Sequence, residues 1–287
     1  MKDFLFDLKD YKEIPGLQRP WDGERPFLVP IFFEKSVLTR YLYDSTYKCE
    51  FCSETYGTIN LSESYISFGI NPNGLIIMWL GDLEELPEKE KLYLLSHNIP
   101  SDHNIKSEFY DAQIDAQFTD PVKEVDLLIT KNKLNEAFNK KFNFKLFKTE
   151  YPDTDSLFSI CSKYKKVLLN GEDDFKRIIS EWNELLIEDI DFDNLKKYTG
   201  INDMGGIKLL ETLACKKMSM RQDLIQPYFV LYNLRIWADH KNCEDKFSGA
   251  IEQLGLDKNV EYFLIYQKML EEFLKSNNEL LDNLISN

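Results

Sequence analysis

From Tyr47 to Leu80, β-branched and aromatic residues come in short runs separated by turn residues, with Tyr56-Gly57 and Asn71-Pro72-Asn73-Gly74 the clearest breaks. Such alternation predicts a meander of antiparallel strands. Its best-defined part is a hairpin of Tyr65–Ile70 and Leu75–Leu80, because Asn73-Gly74 accepts the positive φ that a tight turn requires. Phe27–Phe33 also has strand composition, and Val37–Tyr43 predicts a short helix with Leu38, Tyr41 and Leu42 on one side. Pro87 followed by Glu88 and Glu90 predicts a helix start, since proline loses no hydrogen bond there and acids suit the positive end of the dipole; that helix should end before Pro100. Ile114, Ala116 and Phe118 alternate with polar neighbours and predict a strand over Gln113–Phe118, after which Pro121 opens a long helix to about Phe142. Residues 1 to 25 mix charge with Pro15, Gly16, Pro20 and Gly23 and predict an irregular arm.

Beyond Asp173 the apolar spacing changes to three and four, and no strand is predicted. Trp182, Leu185, Leu186 and Ile190 make one stripe; Ile207, Leu210, Leu213 and Ala214 make another. Ser219 with Gln222 forms a capping box, which predicts a helix from Met220 through Pro227 to about His240, kinked at the proline. A helix over Glu244–Leu254 and a long last helix with Val260, Phe263, Leu264, Leu270, Phe273, Leu274, Leu280, Leu281, Leu284 and Ile285 on one face complete the series. Periodicity lapses over Thr149–Asp174, where Pro152, several Asp residues and Gly171 intervene. The expected fold class is therefore an α+β N-terminal domain (residues 1–150, antiparallel strands with helices), a linker (151–173) and an all-α helical bundle (174–287).

At 287 residues the chain exceeds the usual size of one core, and 43% hydrophobic with 14% aromatic residues exclude a disordered chain. The formal net charge of -14 opposes non-specific binding of a polyanion, so any nucleic-acid site must be local. Basic clusters occur at Lys140, Lys141, Lys145 and Lys148, at Lys163, Lys165 and Lys166, and at Lys216, Lys217 and Arg221; their ordinary role is a solvated face. Five cysteines, an odd count, together with no charged-then-apolar N-terminal segment lead to the expectation of reduced thiols in a cytoplasm. Leu75–Leu80 and Tyr228–Tyr232 are the longest apolar runs, far short of the roughly 20 residues that span a bilayer, so no membrane role is expected.

The segment Leu231-Tyr232-Asn233-Leu234-Arg235-Ile236-Trp237-Ala238-Asp239-His240-Lys241 carries an arginine and a histidine separated by four residues, at the end of an apolar helix. It resembles the R-x4-6-H signature of HEPN domains (higher eukaryotes and prokaryotes nucleotide-binding), and the resemblance extends over roughly residues 174 to 287. What it implies is a HEPN-like helical bundle that dimerises with two motifs facing each other, and in active members a metal-independent endoribonuclease of defence or toxin-antitoxin systems. Arg235 and His240 would then be catalytic, and Asn233 and Lys241 would contact substrate. The expected partners are RNA, a second copy and a regulatory protein; no metal or other cofactor is implied.

The residue types suit the chemistry. Cleavage of RNA by its own 2′-hydroxyl needs a proton moved, which histidine does near neutral pH, and a phosphorane charge stabilised, which the arginine fork does. Five residues of regular helix rotate side chains by about 140°. Arg235 and His240 therefore converge only if the helix ends or bends near Ala238, or across a dimer. Ile236 stands where active members commonly have a polar residue. In a chain without this activity, Arg235 would make a salt bridge and His240 would complement a helix C-terminus.

Other candidates have ordinary readings beside them. Cys49-x-x-Cys52 has the spacing of half a zinc site but no second pair follows, and buried thiols account for it. His97, Asp102, His103 and Glu108 share one loop region and could form an acid/base site, although Ser, Asn, Asp and Pro there are also plain turn formers. Gly205-Gly206 lacks a phosphate-loop pattern and should start a helix, and the acidic runs Glu84–Glu90 and Glu188–Asp193 read as solvated surface.

Overall fold

A computed structural model describes residues 3–17, 26–61, 64–151, 153, 157, 160–161, 171–257 and 259–286. Much of the expected linker, the Lys163–Lys166 cluster and part of the N-terminal arm lie outside them. The chain divides into two compact units, Met1–Val122 and Lys123–Asn287.

The first unit is α+β. Its strands are β1 (Pro30–Phe33), β2 (Lys48–Phe51), β3 (Tyr56–Asn60), β4 (Tyr65–Ile70), β5 (Ile76–Trp79) and β6 (Asn98–Ile99), in one antiparallel sheet ordered β2-β3-β4-β5-β1-β6. The expected hairpin forms with Ile70 opposite Ile76. Asn71 sets its turn, accepting from the backbone N–H groups of Asn73 and Leu75, while Gly74 takes a φ of 79°. Every residue of β1 and β5 is buried, so both faces of the sheet centre are covered. Phe32, Ile77 and Trp79 point to one face, in a cluster with Ile14 and Phe109. The alternate residues Ile31, Phe33, Ile76 and Met78 are buried on the other.

Helices α1 (Leu8–Glu13), α2 (Leu38–Tyr43), α3 (Leu80–Glu84), α4 (Glu88–His97) and α5 (Glu108–Gln113) surround this sheet. Two local expectations are overturned. The arm contains α1, capped by Asp7, whose side chain accepts from the Lys9 N–H. No strand forms over Gln113–Phe118: α5 occupies its start, Ala116 has a φ of 53°, and Phe118 is fully exposed. Ser107, whose hydroxyl accepts from the Tyr110 N–H, caps α5, and the helix runs as far as Gln113, whose side chain accepts from the Trp79 indole at 2.6 Å; Ile114–Phe118 then form turn and loop.

The second unit is helical: α6 (Lys123–Phe142), α7 (Glu172–Asn183), α8 (Phe192–Thr199), α9 (Gly206–Met218), α10 (Gln226–Asp239), α11 (Glu244–Gln253) and α12 (Tyr262–Ser286). Helix α6 packs along α12, and α10 packs on α7 and α11. One apolar core runs from Leu127 to Leu284. Buried hydrogen bonds cross it: Trp182 Nε1 donates to the Tyr266 hydroxyl at 3.1 Å, and that hydroxyl donates to Glu124 at 2.9 Å.

The helix expected from Met220 to His240 is divided. Ser219 is the left-handed C-cap of α9, Gln222–Ile225 is a 3-10 turn, and Pro227 sits in the first turn of α10 rather than at a kink. Proline is tolerated there because the first N–H groups of a helix have no internal acceptor. Among the described residues no helix is long and apolar enough to cross a membrane.

Candidate functional site

Between α7 and α8 the helix widens into a π turn, Glu184–Glu188, and Asp191 then caps α8 by accepting from the Asn194 N–H. A π turn inserts an extra residue per hydrogen-bonded ring and so redirects the side chains that follow it. Here Ile187 and Glu188 come to line an open cleft of about 570 Å³. The acidic run expected to be solvated surface is thus divided in use: Glu188 borders the cleft, Asp189 pairs with buried Lys131 at 2.6 Å, and Asp191 is the helix cap.

The opposite wall comes from α10. Phe229, Tyr232 and Asn233 recur at three and four and so share one stripe, with Arg235 beside them, all bordering the cleft. Tyr228, Leu231, Leu234 and Trp237 take the core side of the same helix. The third wall is the start of α9. Gly205 is its N-cap and provides no side-chain cap, so the first N–H groups of a 13-residue helix remain without one. Gly206 is required here by contact: a Cβ would run into the ring of Phe192, which also borders the cleft. Lys208, exposed on the first turn of α9, adds a cation.

Arg235 is about one-third exposed. Its Nε lies 2.9 Å from Asp239 Oδ2, an ion pair one turn on, and a terminal nitrogen lies 4.0 Å from Glu188. Glu188 Oε1 also accepts from Asn183 Nδ2 at 2.7 Å. Asn183 is buried, and its Oδ1 has no hydrogen-bond partner.

Helix α10 ends at Asp239, and His240 is its C-cap in extended conformation (φ -121°, ψ 139°). His240 and Lys241 are exposed and are not among the residues that line the cleft. Of the four motif residues singled out in the sequence, the cleft therefore gathers Arg235 and Asn233 but not the other two. Asn183, Glu188, Lys208 and Tyr232 were missed; only the glycine pair before Lys208 was a visible signal for them, as an uncapped helix start.

In the first unit, Asp102 and Glu108 hold loops together. Asp102 accepts from the side chains of Asn71 and Asn73, and Glu108 from Ser53 and from the Thr55 N–H and hydroxyl. His103 pairs with neither; its Nδ1 is 2.8 Å from buried Asp10. Cys49 is buried, which pushes its thiol up to about 12, and no group of three or more metal-ligating side chains occurs among the described residues. No family model, curated protein or solved structure matches this chain.

Proposed function

We propose that this chain is a metal-independent endoribonuclease of the HEPN type, acting as a cytoplasmic homodimer in antiviral defence or a toxin-antitoxin system. The observation that carries the reading is the cleft of the helical unit. There Arg235 and Asn233 stand beside Lys208 and an uncapped helix start, a combination suited to a phosphodiester. A phosphate entering it competes with Asp239 for the Arg235 guanidinium, and the aromatic rings offer bases a stacking surface. Helix α10 ends at Asp239 and His240 lies outside the cleft that holds Arg235, so on this reading the two side chains meet across a dimer.

In the proposed reaction an imidazole takes the proton of the 2′-hydroxyl, the 2′-oxygen attacks the adjacent phosphorus, and the 5′-oxygen of the next nucleotide leaves with a proton. The products are a 2′,3′-cyclic phosphate and a 5′-hydroxyl, and Arg235 carries the phosphorane charge. His240 supplies the imidazole from the second copy. The net charge of -14 keeps bulk RNA away until a partner bound to the first unit admits it.

The decisive measurement is cleavage of a mixed RNA pool in EDTA by the wild type, Arg235→Ala and His240→Ala, with cyclic-phosphate ends as readout. Activity confined to the wild type is expected, and equal activity in the three proteins refutes the roles assigned. A second reading, a non-catalytic dimerisation module whose first unit binds a protein or small ligand, is favoured by the 2.9 Å pair that occupies Arg235. It predicts a dimer that leaves RNA intact under every trigger.

A further inference from the structure

We infer that the cleft of the helical unit selects a guanine base, with Glu188 as the residue that reads it. The inference rests on the proposal that this cleft takes nucleic acid, and adds which nucleotide it prefers.

The cleft combines three chemistries that a nucleotide also combines. Lys208 and the uncapped first turn of α9 suit a phosphate. Phe229 and Tyr232 offer apolar faces on which a base can stack, and Tyr232 is 43% exposed although it is a large aromatic side chain. Beside the donors of Arg235 and Asn233, the lining also holds acceptors. Glu188 is an acceptor-only carboxylate when ionised, and Asn183 fixes its Oε1 by donating Nδ2 at 2.7 Å. That choice of amide orientation leaves Asn183 Oδ1, on a residue only 2% exposed, with no donor. A buried acceptor without a donor is costly to a folded chain and is commonly explained by an absent partner.

Among the RNA bases only guanine presents two adjacent donors, N1–H and the N2 amino group, on its Watson–Crick edge. Adenine and cytosine each place an acceptor beside their donor, and uracil has one donor between two acceptors. A carboxylate held in place can therefore accept two hydrogen bonds from guanine, while the other bases turn a lone pair towards it. The nearby Arg235 lies 4.0 Å from Glu188 and so leaves its carboxylate open to a second partner.

The test is equilibrium binding of the four 5′-monophosphates to the full-length protein, with Glu188→Gln and Lys208→Ala beside the wild type and circular dichroism to confirm that each is folded. GMP is expected to bind at least about tenfold tighter than AMP, CMP or UMP, the worth of one charge-assisted hydrogen bond. Glu188→Gln, which can still accept from Asn183, should lose that preference, and Lys208→Ala should weaken all four alike. Equal binding of the four nucleotides, binding of none, or a guanine preference that survives in folded Glu188→Gln overturns the inference. Those outcomes leave the nuclease proposal to its own test: cleavage lost in Arg235→Ala and His240→Ala upholds that reading with the base unread. A guanine preference in a chain that cuts no RNA upholds the pocket alone.

Discussion

Lys131 has no exposed side-chain surface, and its ammonium is held by Asp189 at 2.6 Å with the rings of Phe147 and Tyr151 about 5 Å away. Burial pulls its pKa down and Asp189 pulls it back up. Removing the anion from such a pair leaves a charge stranded in an apolar setting, so Asp189→Ala should cost about 3–5 kcal/mol by urea denaturation. The double variant Lys131→Met with Asp189→Ala should recover most of that loss, because no charge is then buried. Asp82 is the opposite case. Burial, with Glu85 nearby, raises its carboxyl from 3.8 to about 6. A raised acid stabilises the fold while protonated, in full below 3.8, and that contribution is lost as pH rises through about 6. Asp82→Asn should therefore match the wild type near pH 4 in thermal melting and melt higher than it at pH 7.5. Neither environment was legible in the sequence: Lys131 and Asp189 stand 58 positions apart, and each resembles an ordinary surface charge. Arg235 and Asn233 were legible because they sit inside a spaced motif, whereas Glu188 was hidden in an acidic run.

At the scale of elements, α6 does more than bury an apolar stripe. Asn132 and Asn135, one turn apart, each pair with both backbone groups of a residue in the extended segment that follows. Asn135 donates to the Phe147 carbonyl at 3.0 Å and accepts from its N–H at 2.7 Å, and Asn132 does the same for Tyr151 at 2.7 and 3.2 Å. The two amides thus act as a substitute strand edge on one side of a segment whose other side makes the isolated antiparallel bridge of Phe147 to Ile190. Asn135→Ala would leave two backbone groups unpaired, one of them in a core residue, and should cost about 2 kcal/mol or more, measured as a fall in the denaturation midpoint. Helix positions were the most legible elements, since periodicity of three and four is set by burial against neighbours. The misreadings came where one local bond decided the outcome. The Ser107 cap starts a helix that takes in Gln113 and leaves the alternating residues after it as loop, and the left-handed Ser219 ended one helix where a capping box suggested that another began. The π turn leaves no pattern at all, because one extra residue per ring shifts the stripe without changing its composition.

For the whole molecule, the sequence conveyed an α+β half followed by helices. It could not convey that α6, which has a composition like its predecessors, belongs by contact with the helical unit. That assignment is testable. A chain beginning at residue 120 should fold, with a cooperative thermal transition and strong helical dichroism, because the core from Leu127 to Leu284 is then complete. A chain beginning at residue 174 should not, since α12 would lose the helix it packs along and Tyr266 the Glu124 that its hydroxyl meets.

The Arg235–Asp239 pair carries a thermodynamic corollary. A guanidinium that trades one carboxylate for one phosphate makes no new ion pair in total, and dissolved salt screens the attraction it gives up as well as the one it gains. On the proposal that the cleft takes RNA, its contribution to the ionic-strength dependence of affinity should accordingly be smaller than that of Lys208. On a logarithmic plot of affinity against salt, Asp239→Asn should steepen the slope, as an internal competitor for the incoming polyanion is withdrawn.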